Sequence, residues 1–122
     1  MHDILILGGG LVGNSLACAL ENSGLRVGLV EASVPSAGAP GFNERKLALS
    51  AASLIALENL SVSQYFAHGF SPRRRIHISR VGDFGSVDIQ AKDYQRDYFG
   101  GVVLARDLGA ALETRVAELK NL

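Results

Sequence analysis

The 122-residue sequence is poor in the features that mark several large classes of protein. It has one cysteine, Cys18, which excludes an internal disulfide framework and suits a reducing compartment. It has no excess charge of either sign, with Lys+Arg and Asp+Glu at 12 each. Bulk charge therefore offers no attraction to nucleic acid or to an anionic membrane. No apolar run approaches the roughly 18–20 residues of a spanning helix. His2 and Asp3 do not make a basic leader, and glycines break the first apolar stretch early, so no signal peptide is expected. Internal repeats and low-complexity tracts are absent. The remaining composition, 48% hydrophobic and 20% charged, is that of a globular domain, and a cytoplasmic location is the expectation.

The pattern of apolar residues predicts an α/β chain. Residues 3–7 (Asp-Ile-Leu-Ile-Leu) form a short apolar run ended by glycine, the mark of a strand buried on both faces. Residues 11–22 carry Leu11, Val12, Leu16, Ala19 and Leu20 at helical spacing, with Gly24 as the stop. Residues 26–30 are a second apolar run ending at Glu31. Strand, helix and strand in about 30 residues make a Rossmann-like βαβ unit. Residues 33–44 read as a loop, and residues 45–60 as a helix rich in leucine and alanine. Residues 61–72 read as a connector. Residues 74–81 and 86–90 alternate about a Gly82-Asp83-Phe84-Gly85 turn, predicting an antiparallel β-hairpin inserted into the α/β order. Residues 105–120 predict a last helix on the stripe Leu104, Leu108, Leu112, Val116 and Leu119. A crossover helix normally returns the chain to a parallel sheet, and no third such strand follows. The expectation is therefore residues 1–122 as the amino-terminal portion of a longer domain, with residues 72–100 forming the inserted β region.

The chemistry starts at Gly8, Gly10 and Gly13, which spell G-x-G-x-x-G between a predicted strand and a predicted helix. Gly8 permits the tight turn, Gly10 lets the backbone approach a pyrophosphate, and Gly13 lets the helix pack closely on the sheet. The start of the helix, with Leu11 and Val12, offers free N–H groups to phosphate. Seventeen residues separate Gly13 from Glu31. That spacing sets Glu31, followed by Ala32, at the tip of the second strand, where a carboxylate accepts both ribose hydroxyls. The competing reading of Glu31 is a solvated acid at a strand end. An acid at this place disfavours a 2′-phosphate, hence NADP. FAD and NAD share the fingerprint, and the loop does not separate them.

The words "ILGGGLVGNSLACAL", "LVEAS", "PGFNERKLALSAAS", "RRIHISRVGDFGSV" and "AKDYQ" resemble the flavin-dependent aromatic hydroxylases, the group of para-hydroxybenzoate hydroxylase. Within it the chain is most similar to the ubiquinone-biosynthesis hydroxylases, in particular those acting on 2-polyprenyl-6-methoxyphenol. The Gly-Phe-x-x-Arg-x-x-Ala-Leu-Ser string from Gly41 to Ser50 is more specific than the glycine loop. The resemblance implies FAD as the dinucleotide, with its pyrophosphate on Gly8, Gly10 and Gly13 and its adenosine ribose on Glu31. It places Arg45 beside the cofactor and Arg106 against the phosphate–ribityl region of the flavin. It implies a monooxygenase in which reduced flavin and O2 hydroxylate a polyprenylated phenol with electrons from NAD(P)H. It also implies work near the inner membrane face, contacts with other proteins of the ubiquinone pathway, and no partner of nucleic acid. The family's hairpin often reads Ser-Asp-Arg-Gly where this chain has Ser79-Arg80-Val81-Gly82. Its later Asp-Gly and Gly-Asp motifs are not in the chain. The expectation is therefore a fragment without catalytic residues of its own, free of cofactor and inactive alone, and prone to self-association. The alternative is a self-contained dinucleotide-binding module without catalysis.

The remaining polar residues have plainer readings. Arg45 heads the predicted helix of residues 45–60, where a cation opposes the helix dipole unless an anion is near, and Glu44 is one such anion. Arg106 can be an ordinary exposed arginine beside Asp107. Cys18 reads as a small core hydrophobe. His77 falls on the polar face of the hairpin. His2 and His68 have no partner at metal-ligand spacing. Arg73, Arg74 and Arg75 guard a strand edge against pairing.

Overall fold

The computed structural model describes residues 1–33 and 44–122. The parallel pair forms first in the chain: β1 (Ile4–Leu7) lies beside β2 (Val27–Val30), with Ile4 opposite Val27 and Leu7 opposite Val30. The crossover between them is α1 (Leu11–Ala19), shorter than residues 11–22. Gly24 has φ +76° in the turn that follows. Much of the loop at residues 33–44 lies outside the described residues, as do Gly41, Phe42 and Asn43 of the Gly41–Ser50 string.

The predicted helix at residues 45–60 is corrected. Its first part is a strand, β3 (Lys46–Ser50), and only Ala51–Asn59 is helical, as α2. Leu47 and Leu49 sit two apart and are half-buried, while Lys46, Ala48 and Ser50 are exposed, which is a strand period. Ser50 ends the strand and caps the helix, its hydroxyl accepting from the Ser53 N–H at 3.1 Å. Arg45 therefore heads a strand and not a helix.

What recruits residues 46–50 into a strand is a partner far along the chain. The strand β7 (Gly100–Leu104) pairs antiparallel with β3, Lys46 opposite Leu104 and Ser50 opposite Gly100. Its other edge takes the two-residue strand β4 (Ser71–Pro72), so the expected connector at residues 61–72 holds a strand, preceded by a 3-10 turn over Ser63–Tyr65. Leu104, placed on the helical stripe by its spacing, ends β7 instead. The last helix, α3 (Ala105–Val116), starts one residue later and stops before residue 120.

The remaining strands, β5 (Arg75–Ser79) and β6 (Ser86–Gln90), pair antiparallel, with Ile76 opposite Ile89 and His77 opposite Asp88. The three successive arginines part company here. Arg73 reaches back to the Leu49 carbonyl at 3.5 Å, whereas Arg75 grips both oxygens of Asp88 at 2.9 and 2.8 Å. His77 Nδ1 lies 3.1 Å from the same carboxylate. Arg75 and His77 together hold Asp88 well below the usual carboxylate range, at about 2, the Arg75 hydrogen bond being the larger cause.

One core joins the βαβ unit to α2, β7 and α3. Ile6, Ala17, Cys18 and Val27 from the βαβ unit meet Val103, Leu108 and Leu112 from β7 and α3. Leu112, Val27 and Val62 are the largest side chains sealed from solvent, and Cys18 is buried among them. At full burial each such aliphatic side chain contributes about 1.5–3 kcal/mol. Beside the core, Arg115 of α3 ties three elements, donating to Glu21, to the Leu60 carbonyl at 3.0 Å and reaching Glu118 at 3.5 Å. Asn121 closes the base of the βαβ unit: its carbonyl accepts from the Val27 N–H at 2.9 Å, and its amide donates to the carbonyls of Leu20 and Leu25. None of the described helices is long and apolar enough to cross a membrane.

Candidate nucleotide site

The glycine loop runs from the end of β1 into α1, and its three glycines have three different reasons. Gly8 takes φ +104°, a conformation that side chains disfavour, and its N–H bonds the Val30 carbonyl at 2.8 Å to keep the turn on the sheet. Gly13 lies inside α1 where a Cβ would stand 1.8 Å from the Gly8 carbonyl oxygen, so the helix touches the loop only without a side chain. Gly10 has neither reason. Its backbone is ordinary (φ −79°, ψ −167°) and a Cβ there meets no protein atom within 4 Å. A glycine that the chain itself does not require leaves an open approach to the backbone, which is the space a pyrophosphate needs.

The start of α1 has no side-chain cap and no acid in its first turn. Its leading N–H groups, Leu11 and Val12 among them, precede the first intrahelical bond, Asn14 N–H to the Gly10 carbonyl. They form a positive terminus suited to an anion. Glu31 stands at the other side of the loop. Its carboxylate accepts from the Gly9 N–H at 2.6 Å and from the Ser33 N–H at 2.8 Å. These backbone donors, Ser33 first and then Gly9, with the Ala32 backbone a lesser one, lower its pKa and keep it ionised. The carboxylate is thus fixed against the loop, with lone pairs still available to ribose hydroxyls.

The second group of expected residues gathers at the start of α3. The Ala105 N–H bonds the Arg45 carbonyl at 2.8 Å, fastening the head of β3 to the head of α3. Arg106 Nη1 lies 2.6 Å from Glu44 Oε1, and its Nε lies 3.7 Å from Asp107. Asp107 in turn meets His68 Nδ1 at 3.0 Å. Glu44, one anion that sequence offers to Arg45, meets Arg106 in the fold, because the antiparallel register sets the start of β3 beside the end of β7. The chain Glu44–Arg106–Asp107–His68 joins residues up to 63 positions apart, and nothing in local sequence announces it. A shallow apolar groove of about 380 Å³ is lined by Leu11 and Val12 of α1, Leu47 and Leu49 of β3 and Leu108 of α3. Among the described residues no cluster of His, Cys, Asp and Glu could hold a metal ion.

This arrangement is the fold of FAD-dependent monooxygenases. The chain superposes on 2-methyl-3-hydroxypyridine-5-carboxylic acid oxygenase with a TM-score of 0.71 at 20% identity, over 98% of this chain and 30% of that one. It matches p-nitrophenol 4-monooxygenase of Pseudomonas putida DLL-E4 with a TM-score of 0.70 at 17% identity, over 99% and 30%. The anhydrotetracycline hydroxylase OxyS of Streptomyces rimosus gives 0.70 at 21% identity, over 98% and 23%.

In sequence the chain is 39% identical over 120 residues to the ubiquinone hydroxylase UbiL of Rhodospirillum rubrum, covering 96% of this chain. The resemblance to ubiquinone-biosynthesis hydroxylases thus extends along nearly the whole chain, which spans 27% of that relative's length. No family model matches.

Proposed function

We propose that this chain is the FAD-binding portion of a flavin-dependent aromatic-ring hydroxylase that acts on a polyprenylated phenol in ubiquinone biosynthesis. One observation carries the reading. Gly10 is required by nothing in the protein, yet it lies between a turn that needs Gly8 and a helix that needs Gly13, opposite a carboxylate held by the same loop. Such a loop is built for the close approach of a dinucleotide. The 39% identity to a ubiquinone hydroxylase favours FAD over NAD as that dinucleotide.

In this reading the backbone of Gly10, Leu11 and Val12 holds the pyrophosphate, and Gly8 and Gly13 hold the loop in shape. Glu31 accepts from the adenosine ribose, with Ala32 beside it. Arg45 and Arg106 flank the cofactor from β3 and α3. When bound, the flavin supplies the reaction with O2, using electrons from NAD(P)H. The chain's own residues bind and orient; none of them is assigned a proton transfer. Residues 72–100, with the β5–β6 hairpin, form the β region inserted between the dinucleotide-binding elements. The chain alone binds FAD without turnover, and the whole enzyme works at the inner membrane face, where its lipid-tailed substrate resides.

Calorimetric titration of FAD into the full 122-residue chain tests this. Saturable one-site binding, weakened by Glu31→Gln and accompanied by a perturbed flavin spectrum, is expected. A chain that remains folded and colourless and binds no FAD overturns the reading. Preference for NAD over FAD supports the plain dinucleotide module instead.

A further inference from the structure

Arg106 is not a free cation waiting for a phosphate. Its guanidinium faces two carboxylates, Glu44 at 2.6 Å and Asp107 at 3.7 Å, so an approaching anion meets a guanidinium that already has acidic partners. The two carboxylates differ in how firmly they are held. Asp107 is 12% exposed, sits in the first turn of α3 where the helix dipole favours it, and is bonded to His68. Glu44 is 77% exposed and, among the described residues, meets Arg106 at the tip of a flexible side chain. The fastening of Arg45 to Ala105 keeps Glu44 beside Arg106 whatever its side chain does.

Resting on the FAD reading above, we propose that Glu44 is an intramolecular competitor for Arg106, a displaceable carboxylate that the cofactor's phosphate–ribityl region must replace. Glu44 then sets cofactor affinity without touching the cofactor. It lowers affinity for any anion at Arg106 and leaves the glycine loop and Glu31 unaffected. Because the contact is solvent-facing, its strength falls as salt is raised.

The experiment is FAD titration into the full chain and its Glu44→Gln, Arg106→Gln and doubly substituted forms, at low and at high salt. Thermal melts of each protein without FAD report on folding. An exposed ion pair of this kind implies that Glu44→Gln tightens FAD about two- to fivefold at low salt. The gain shrinks at high salt and vanishes in the Arg106→Gln background, because the competitor then has nothing to occupy. If Glu44→Gln weakens binding, Glu44 orients Arg106 and the competitor role is overturned. A gain that persists without Arg106, or no change at all, overturns it equally. If the unmodified chain binds no FAD, the cofactor reading fails and this proposal with it, a result distinct from binding that Glu44 does not alter.

Discussion

Replacing Gly13 by alanine isolates the packing part of the glycine loop from its binding part. In a helix interior alanine is favoured over glycine by about 1 kcal/mol, so propensity alone predicts a more stable protein. The tertiary geometry predicts the reverse. The new Cβ stands 1.8 Å from the Gly8 carbonyl oxygen, where real Cβ atoms do not come within 3.0 Å. The start of α1 must retreat by at least about 1.2 Å, and Ile6 Cγ2, at 3.3 Å from the same Cβ, hinders a sideways escape. Retreat loosens the packing of Ala17 and Cys18, both buried, against the core. Overpacking costs about 1–3 kcal/mol, and the lost helix packing adds to it, so a net loss of about 2 kcal/mol is expected. Gly10→Ala is the internal control. Its φ of −79° suits any residue and its Cβ meets nothing, so stability changes by less than about 0.5 kcal/mol. FAD affinity instead falls on the order of tenfold. Urea unfolding followed by far-UV circular dichroism, together with FAD titration, measures both quantities. A Gly13→Ala protein more stable than the parent refutes the close helix–loop contact. A Gly10→Ala protein that binds FAD normally refutes the open-approach argument.

Three further perturbations separate the core, the ion network and the acid. Leu112→Ala empties a fully sealed position and is expected to cost about 2–5 kcal/mol in urea unfolding. Arg115→Met removes the shared partner of Glu21, Glu118 and the Leu60 carbonyl; since Glu21 keeps some solvent, the expected loss is about 1–3 kcal/mol, and adding Glu21→Gln recovers part of it. Glu31 has its pKa lowered by the backbone donors of Ser33 and Gly9, so its stabilising contact is complete above the unfolded carboxyl value and is lost as pH falls through the lower folded value. Glu31→Gln is accordingly expected to lower the melting temperature in the neutral range, where the charged contact is complete, and to flatten the acid limb below about pH 4.5, where the unsubstituted chain loses the same contact; an unaltered acid limb refutes the contact.

Where pattern and partner lay close together, the elements were legible from residue order. The β1–α1–β2 unit needs about 30 residues, and its glycines, helical stripe and terminal acid all lie within it. The β5–β6 hairpin was legible for the same reason, since its turn and both alternating strands are adjacent. The strand at residues 46–50 was not. Leu47 and Leu49 fit either a strand or the start of the following helix, and alanine-rich residues 51–59 biased the reading toward one long helix. Strand β7 supplies the hydrogen bonds that decide between them, from 50 or more residues away, and the same pairing turns Leu104 from a helical residue into a strand end.

The site divides along the same line. The amino-acid order by itself determined a glycine loop from strand to helix with an acid at the next strand tip, because glycine spacing specifies backbone shape locally. Only the tertiary structure decided which glycine guards packing and which leaves open space, since that depends on what lies opposite each Cβ. It also decided that Arg106 answers to Glu44 and Asp107, because charges find their partners by distance in space, and the antiparallel register of β3 on β7 sets that distance.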